Sequence, residues 1–368
     1  MKRTLLLLTA LVWLGASGLT AGEYRRLGQD YRALAMGNTG IVTANGSSAM
    51  FYNPAAMANI LSWWVDIPML EVTYSDDAKD LVDMAKSGGF ALETQQDQLD
   101  FMDTFIGLNP YVKSRLGANV LANLSNKGFT LGYNYNYEAL LDLSIRNPSM
   151  PEINGLVRLD QVRQFGTSIP IGMGQFILGA TYKSVERNEV DFSYSMADAL
   201  NNKKFPSLAR AGVFGAGTGY DIGFLFRQDS KSRLMFGGVY RSPIDLGDAT
   251  SIPGETALGL GMVHELTIFR WIAAVDWRDL TYEWGSTDDS SLARRTHAGM
   301  ELGIFPISKT HSLISLRTGL AQGYQSKGAE VMLGHLLVLG ATRYTEETGE
   351  YAGQKGSARN VIYVSLGF

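Results

Sequence analysis

The sequence of 368 residues contains no cysteine. Disulfide bonds are therefore excluded, and so are zinc sites with thiolate ligands. Lipidation of the bacterial lipoprotein type is excluded as well, because it needs a cysteine at the cleavage site. The stability of this chain must come from other sources.

Histidine is scarce, and none of the four stands in the H-E-x-x-H spacing of a metal site: His264, His297, His311 and His335. The G-x-S-x-G motif of serine nucleophiles is also absent. Asp288, Asp289 and His297 could form an acid–histidine site, but a solvated loop beside a histidine that faces the lumen is the simpler explanation. We therefore expect no metal, no cofactor and no enzymatic activity.

Long apolar runs are missing beyond the first 22 residues, so no helix of about 18 apolar residues is available to span a membrane. The net charge of −4 gives no basic field for nucleic acid. Yet 45% of residues are hydrophobic, with 41 glycines and 17 tyrosines. Two classes remain, a soluble β-rich protein and a transmembrane β-barrel.

Residues 1–22 have the order of a secretory signal peptide. Lys2 and Arg3 give a positive start, an apolar core follows over 5–14, and small residues occupy most of 16–22. This core is too short to span a membrane. We predict export and removal of residues 1–22.

Apolar and polar residues alternate along many segments, as in "GFTLGYNYNYEALLDL". A period of two predicts strands with one apolar and one polar face. Charges return repeatedly to the polar face, for example at Arg270, Asp276 and Arg278. A dry core would not accept so many charges, whereas the water-filled lumen of a membrane barrel would.

The pattern predicts an all-β, transmembrane antiparallel barrel of about fourteen strands. The predicted spans are 62–75, 115–125, 128–146, 156–171, 174–195, 214–229, 232–245, 255–266, 269–282, 296–306, 311–321, 328–334, 337–346 and 359–368. Every second connection is short, as expected for periplasmic turns: Ser125–Lys127, Gly172–Met173, Asp229–Lys231, Thr267–Ile268, Ile307–Thr310 and His335–Leu336. Most of the others are long, as expected for extracellular loops.

The first long connection has helix-like spacing in two stretches near 76–106, separated by Gly88-Gly89. The apolar positions are Leu81, Val82, Met84 and Ala85, then Leu99, Met102, Phe105 and Ile106. A third short helix is predicted in "SMADALNNKKF". These helices either cover loop backbone or form an apolar landing site at the cell surface.

A barrel of fourteen strands encloses more space than its own side chains fill, so it holds a plug or forms an open pore. Residues 23–60 precede the first strand and are the candidate plug, with the barrel formed by 61–368. Their stretch "RALAMGNTGIVTANGSSAMFYNPAAMANI" resembles the N-terminal hatch of the FadL/TodX-type outer-membrane transporters. The shared features are a glycine-rich start, a run of small residues and an Asn-Pro-Ala motif, here Asn53, Pro54 and Ala55.

The resemblance implies a hydrophobic small-molecule ligand, with long-chain fatty acids as the first candidate. The ligand would enter an apolar pocket above the hatch and leave sideways through a gap in the wall, into outer-membrane lipid. The chain is shorter than the long-chain transporters, which leaves the size of the substrate open. The same broad superfamily includes PorV-like relatives that shuttle or anchor exported proteins, so a subunit of a secretion or assembly system, with a protein partner, is the alternative.

Two places are candidates for the wall gap: Pro68, which cannot donate to a strand ladder, and the glycines of "GAGTG", Gly215, Gly217 and Gly219. A bulge without a transport role is the other explanation for each. The candidate contacts of a ligand carboxylate are the cationic side chains that the strand alternation places on the inner face: Lys183, Arg227, Arg278 and Arg317. Their alternative role is to pair with carboxylates of the lumen.

The chain ends in "NVIYVSLGF", with apolar residues at alternate positions: Ile362, Val364, Leu366 and the terminal Phe368. This resembles the C-terminal signal by which the barrel assembly machinery recognises outer-membrane barrels. It predicts a location in the outer membrane of a Gram-negative-type bacterium.

Overall fold

Fourteen antiparallel strands close into one barrel in the computed structural model of this protein, which confirms the predicted fold class. The structure describes residues 27–60, 62–79, 83, 94–104, 106–125, 129–146, 152–172, 174–201, 203–204, 206, 208–228, 232–281, 295–308, 311–334, 336–347 and 356–367. The predicted signal peptide, most of the first predicted loop helix, Asp288, Asp289, His335 and Phe368 lie outside these residues.

Each strand pairs with its neighbours in sequence, and β1 pairs with β14 to close the ring. The strands are β1 Trp63–Ser75, β2 Tyr111–Asn123, β3 Thr130–Arg146, β4 Glu152–Ile171, β5 Phe176–Ser195, β6 Val213–Arg227, β7 Ser232–Arg241, β8 Glu255–Glu265, β9 Phe269–Trp277, β10 Thr296–Pro306, β11 Ser312–Ala321, β12 Tyr324–Leu333, β13 Leu337–Glu347 and β14 Gly356–Gly367.

The two ends of the barrel differ in their connections. At the end where β1 begins and β14 finishes, neighbouring strands are joined by short turns, and we call this the turn end. The opposite end, here the loop end, carries the connections 76–110, 196–212, 242–254 and 278–295. One loop-end connection is nevertheless tight, because Gln322 and Gly323 both have positive φ and link β11 to β12 directly.

The two faces of the wall follow the predicted alternation. Along β3, Leu131, Tyr133 and Tyr137 are exposed on the outside, whereas Asn134 and Glu138 are buried inside. Large exposed apolar side chains recur on the outer face of other strands, including Phe165, Tyr182, Ile222, Leu316 and Ile362. The outer surface is therefore the kind that a lipid bilayer covers.

The wall is not of even height. Strands β3 to β6 have between 15 and 20 residues, whereas β7 to β14 have between 9 and 12. A membrane-spanning strand needs about 9–11 residues. The longer strands therefore project beyond a bilayer at the loop end.

The helices are short. They are α1 Tyr31–Ala35, α2 Ala49–Tyr52, α3 Gln95–Thr104, α4 Met196–Leu200 and α5 Leu208–Ala211, with 3₁₀ helices at Gly46–Ser48 and Pro54–Asn59. Within the described ranges, none of these helices is long and apolar enough to cross a membrane.

Helices α3 and α4 pack together at the loop end. Phe101 and Met102 of α3 are buried against Leu143, Tyr194 and other apolar side chains of the long strands. Helix α4 begins with a capping box, in which the side chains of Ser195 and Asp198 each accept from the other's backbone N–H. Hydrogen bonds from Ser195 and Lys203 lower the pKa of Asp198 to about 2.

Candidate functional site

Residues 27–60, here the N-terminal segment, lie against the inner face of the barrel. Inward-facing glycines mark the contacts, because a side chain at any of them would collide with the segment. A Cβ on Gly179 would strike the backbone of Pro54 and Ala55. Similar collisions join Gly299 and Gly319 to residues 36–37, Gly340 to Tyr31, and Gly166 to Met57. The lumen is therefore occupied rather than open.

Asn53, Pro54 and Ala55 form a corner of this segment. The Nδ2 of Asn53 donates to the carbonyl oxygens of Ile41 at 2.9 Å and of Phe224 at 3.1 Å. Its Oδ1 accepts from the Ala55 N–H at 3.0 Å, which caps the 3₁₀ helix that Pro54 starts. Asn53 is completely buried, so one side chain fixes the corner both to the segment and to β6.

Arg241 of β7 anchors the second helix of the segment. Its guanidinium donates to the carbonyl oxygens of Phe51 and Tyr52, at the end of α2, and pairs with Glu255 of β8. The last carbonyls of a helix have no partner within it. Arg241 supplies that partner from the wall.

Glu301 of β10 lies at the centre of a buried ionic cluster. Its carboxylate binds three guanidiniums: Arg32 Nε of the N-terminal segment at 2.9 Å, Arg270 Nη2 at 2.8 Å and Arg317 Nε at 2.7 Å. Arg317 also binds Glu330 at 3.0 Å, and the Tyr31 hydroxyl donates to the same carboxylate. The start of the segment is thus held to β9–β12 by charge.

Asp30 lies beside this cluster and makes no ion pair within the described part of the chain. Burial raises the pKa of its carboxyl group, against the attraction of Arg115, Arg32 and Arg317. Asp30 therefore holds a proton more readily in the folded protein than in the unfolded chain.

Further ion pairs join neighbouring strands on the inner face of the wall, nearer the loop end. Arg187 binds both oxygens of Asp160, at 2.7 and 2.9 Å. Cross-strand neighbours of this kind include Arg158–Glu189 at 2.8 Å and Lys113–Glu138 at 3.2 Å. In the structure these buried charges stand in pairs on neighbouring strands.

The four predicted carboxylate contacts do not converge on one place. Lys183 binds Asp221 at 2.5 Å on β5 and β6. Arg227 donates to Ala58 O and Asn59 Oδ1 at the turn end. The guanidinium of Arg278 lies 5.3 Å from the centre of the Tyr52 ring. Arg317 belongs to the Glu301 cluster. All four face inwards, and each engages the wall or the segment.

The two predicted wall-gap regions differ. At Pro68 the β1 strand bulges, and its register shifts against both β14 and β2 between Asp66 and Met69. Asp66 faces inwards before the bulge and Met69 after it. Gly215, Gly217 and Gly219 also face inwards, but residues 244–249 of the β7–β8 connection cover them.

A small cavity lies behind the β1 bulge at the turn end. Its volume is about 30 Å³, and its lining includes Asp30, Trp64, Met332 and Tyr363. The ring of Trp64 stacks on His311 with centroids 4.4 Å apart, and Asn45 Nδ2 lies 3.0 Å from His311 Nε2. A second cavity of about 20 Å³ lies beside Lys113 and Glu138. On this scale each holds one or two waters.

The remaining predicted residues are distributed as follows. Ile362, Val364 and Leu366 lie on the outer face of β14, where lipid would contact them. His297 is buried, with its Nδ1 2.7 Å from the Gly37 carbonyl oxygen. Sequence reasoning missed Arg32, because no periodicity fixes the path of the segment that carries it.

Comparison with known proteins shows the same fold in membrane transporters. The structure superposes on the toluene transporter TbuX of Ralstonia pickettii with a TM-score of 0.51, 13% identity, and coverage of 92% of this chain and 98% of that one. It superposes on a FadL homologue of Pseudomonas aeruginosa with a TM-score of 0.51 and 12% identity, and the match covers 95% of this chain and 99% of that one. It superposes on the monoaromatic hydrocarbon channel CymD with a TM-score of 0.50 and 12% identity, and the match covers 94% of this chain and 99% of that one.

At such low identity these likenesses concern the fold. No family model matches the sequence. No curated protein matches it either.

Proposed function

We propose that this protein is an outer-membrane barrel for the passive transport of hydrophobic small molecules, with long-chain fatty acids as the first candidate. The N-terminal segment acts as its hatch, and the protein is not an enzyme. The observation that supports this best is a closed barrel with its own N-terminal segment docked inside, in the fold that toluene and hydrocarbon transporters share.

In this proposal the turn end faces the periplasm and the loop end faces outwards. The apolar outer face lies in the bilayer, which agrees with its exposed Leu, Phe, Ile and Tyr side chains. The long strands and α3 then stand outside the membrane. Helix α3, which its buried apolar cluster around Phe101 and Met102 holds in place, is then among the first parts of the protein that a hydrophobic ligand would meet.

A straight path through the lumen is unfavourable for an apolar ligand. It would have to displace the N-terminal segment and so separate Arg32 from Glu301, and a buried charge without its partner is costly. A sideways exit avoids this cost. The β1 bulge supports an exit there, because its ladder is already interrupted on both sides and a cavity lies behind it.

The test is binding of a fluorescent long-chain fatty acid to the refolded mature barrel, compared with Pro54→Ala. Saturable binding that unlabelled fatty acid competes, and that the substitution alters, is the expected result. A monoaromatic hydrocarbon as competitor tells the two ligand classes apart. A correctly folded barrel that binds neither class would overturn the transport proposal.

The second candidate is a subunit of a secretion or assembly system. The uneven wall favours it, because β3–β6 and α3–α4 form a projecting surface suited to a protein partner. Cross-linking in intact cells through a photoreactive residue at the exposed Leu200 separates the two functions. A discrete protein adduct there, combined with no ligand binding, would favour the assembly role.

A further inference from the structure

Two cationic side chains stand opposite each other on the outer face of the wall, near the loop end. Lys327 of β12 is the register partner of Arg343 of β13. Both are exposed, whereas the preceding residues, Ser326 and Thr342, are buried on the inner face. Like charges that lie directly opposite across a strand ladder repel each other. An anion bound between these two side chains would therefore stabilise the pair.

The protein supplies only part of that anion. Arg343 binds the Asp76 carboxylate through Nη1 at 3.2 Å and Nη2 at 2.7 Å, and its Nη1 also donates to Asn360 Oδ1 at 3.0 Å. A guanidinium has five N–H donors, so two of them remain after these three bonds. Within the described part of the chain, Lys327 makes no ion pair.

A third cation, Lys79, lies beside the same carboxylate. Its backbone N–H donates to the Asp76 carbonyl oxygen at 3.4 Å. Hydrogen bonds from Arg343 and the attraction of Lys79 lower the pKa of Asp76. The neighbouring carboxylate, Asp77, instead accepts from the Asn109 N–H at 2.9 Å. Three cations share one bound carboxylate, and the remaining positive charge matches a phosphate group, which carries about −1.5 to −2 at neutral pH.

The outer face next to these cations is apolar. One row towards the turn end, Leu316, Ala329, Ala341 and Ile362 are in register across β11 to β14 and are all exposed. An apolar outer face of this kind lies in the bilayer. The cations therefore stand where the apolar face gives way to polar residues, at the loop-end boundary of the membrane.

We infer that Lys327, Arg343 and Lys79 bind the phosphate of a phosphorylated glycolipid in the outer leaflet of the membrane. The inference rests on the location and orientation given under the proposed function, with the loop end outwards. The two ammonium groups and the remaining donors of Arg343 form charge-assisted hydrogen bonds to the phosphate. The acyl chains of the lipid lie against the apolar row. The bound lipid offsets the repulsion between Lys327 and Arg343 and ties β12 and β13 to the end of β1.

The test is the dissociation constant of bis-phosphorylated lipid A, measured by native mass spectrometry on the mature barrel in detergent. Lys327→Gln should weaken binding about fivefold, because each cation near a phosphate contributes about this factor. Lys327→Arg should retain the affinity. The matched control is Lys204→Gln, which removes the charge of an exposed loop-end lysine in the connection 196–212 and should leave binding unchanged.

Four results would overturn the inference. The first is equal affinity of Lys327→Gln and Lys204→Gln, and the second is equal binding of lipid A without its phosphates. The third is equal binding of phosphatidylglycerol, which would assign the site to phospholipid. The fourth is displacement of lipid A by sodium phosphate alone, which would assign it to free phosphate.

Two further measurements separate this inference from the proposed function. The chain has no cysteine, so Lys204→Cys carries a single thiol that a membrane-impermeant maleimide should label in intact cells. Absence of labelling would overturn the orientation and this inference with it. Fatty-acid binding should be the same in Lys327→Gln and the wild type. A barrel that binds lipid A but no hydrophobic ligand would overturn the transport proposal alone.

Discussion

The side-chain amide of Asn53 donates to the carbonyl oxygen of Phe224, a residue 171 positions further along the chain, at 3.1 Å. This bond joins the N-terminal segment to the wall at the point where Pro54 turns the segment. A Cβ on Gly223 would collide with Asn53 Oδ1, so the wall has a glycine where the amide approaches it.

Asn53→Ala should loosen the N-terminal segment while the barrel stays folded. The variant leaves the Ile41 and Phe224 carbonyl oxygens and the Ala55 N–H without the Asn53 side chain, at a cost of at least about 1–3 kcal/mol. Hydrogen exchange should show protection falling tenfold or more across residues 27–60 and little change in the strands. Asn59→Ala, at a partly buried position, is the control with the smaller effect.

Gly179→Ala should displace the segment sterically. The new Cβ would meet the backbone of Pro54 and Ala55, which cannot rotate away as a side chain can. Gly238→Ala is matched to it, because there the Cβ would meet the ring of Phe224 and the end of Leu258, at 2.7 and 2.8 Å. Limited proteolysis should cut within 27–60 in Gly179→Ala alone. Equal resistance of both variants would contradict the tight docking of the segment.

Glu301→Gln should be the most destabilising of these changes, by about 3–5 kcal/mol, because it leaves three buried guanidiniums short of a carboxylate. Glu186→Gln breaks an exposed pair with Arg163 at 3.7 Å and should cost no more than about 1 kcal/mol. Denaturant midpoints of the refolded barrels measure both. Similar midpoints would show that the Glu301 cluster contributes little.

Asp30→Asn should change how stability depends on pH. Burial raises the pKa of Asp30 in the folded state, so the folded protein binds the proton more tightly than the unfolded chain. Acidification from the raised value down to the unfolded value of about 3.9 therefore stabilises the wild type through this group. Asp30→Asn lacks this stabilisation on acidification. At pH values above the raised pKa of Asp30, the variant should be more stable than the wild type. Unfolding midpoints of both proteins across pH 4–8 provide the comparison, and parallel curves would contradict the prediction.

The sequence predicted the wall well because each strand has an apolar outer face and buried polar groups on its inner face. It predicted the ends of strands less well. Strand β2 begins at Tyr111 rather than 115 and β4 at Glu152 rather than 156, because these ends lie at the loop end, where the alternation of apolar and polar residues weakens. Strand β12 begins at Tyr324 rather than 328, because the two-residue turn Gln322–Gly323 was not recognised.

The sequence predicted which strand residues face the interior, but it did not predict which of them contact each other. Parity places Arg317 and Glu301 inside, but only the register of β10 against β11 makes them partners. Parity gives no information about Arg32 or Tyr31, since the segment has no repeating pattern. Pro68 indicated an irregular strand, whereas the shift of both of its registers needs the neighbouring strands to be known.

The unequal strands make the height of the barrel wall different on different sides. On the side of β3–β6 the wall stands tall, with β4 and β5 of 20 residues, whereas β9, further round the barrel, has 9. At about 3.4 Å per residue the difference approaches 40 Å along the strand. Among the strands that the structure describes, anything that reaches the mouth from the side of β3–β6 meets a taller wall than it meets from the side of β7–β14. The height of the wall that a molecule has to pass to reach the mouth of the barrel therefore depends on the side from which it approaches.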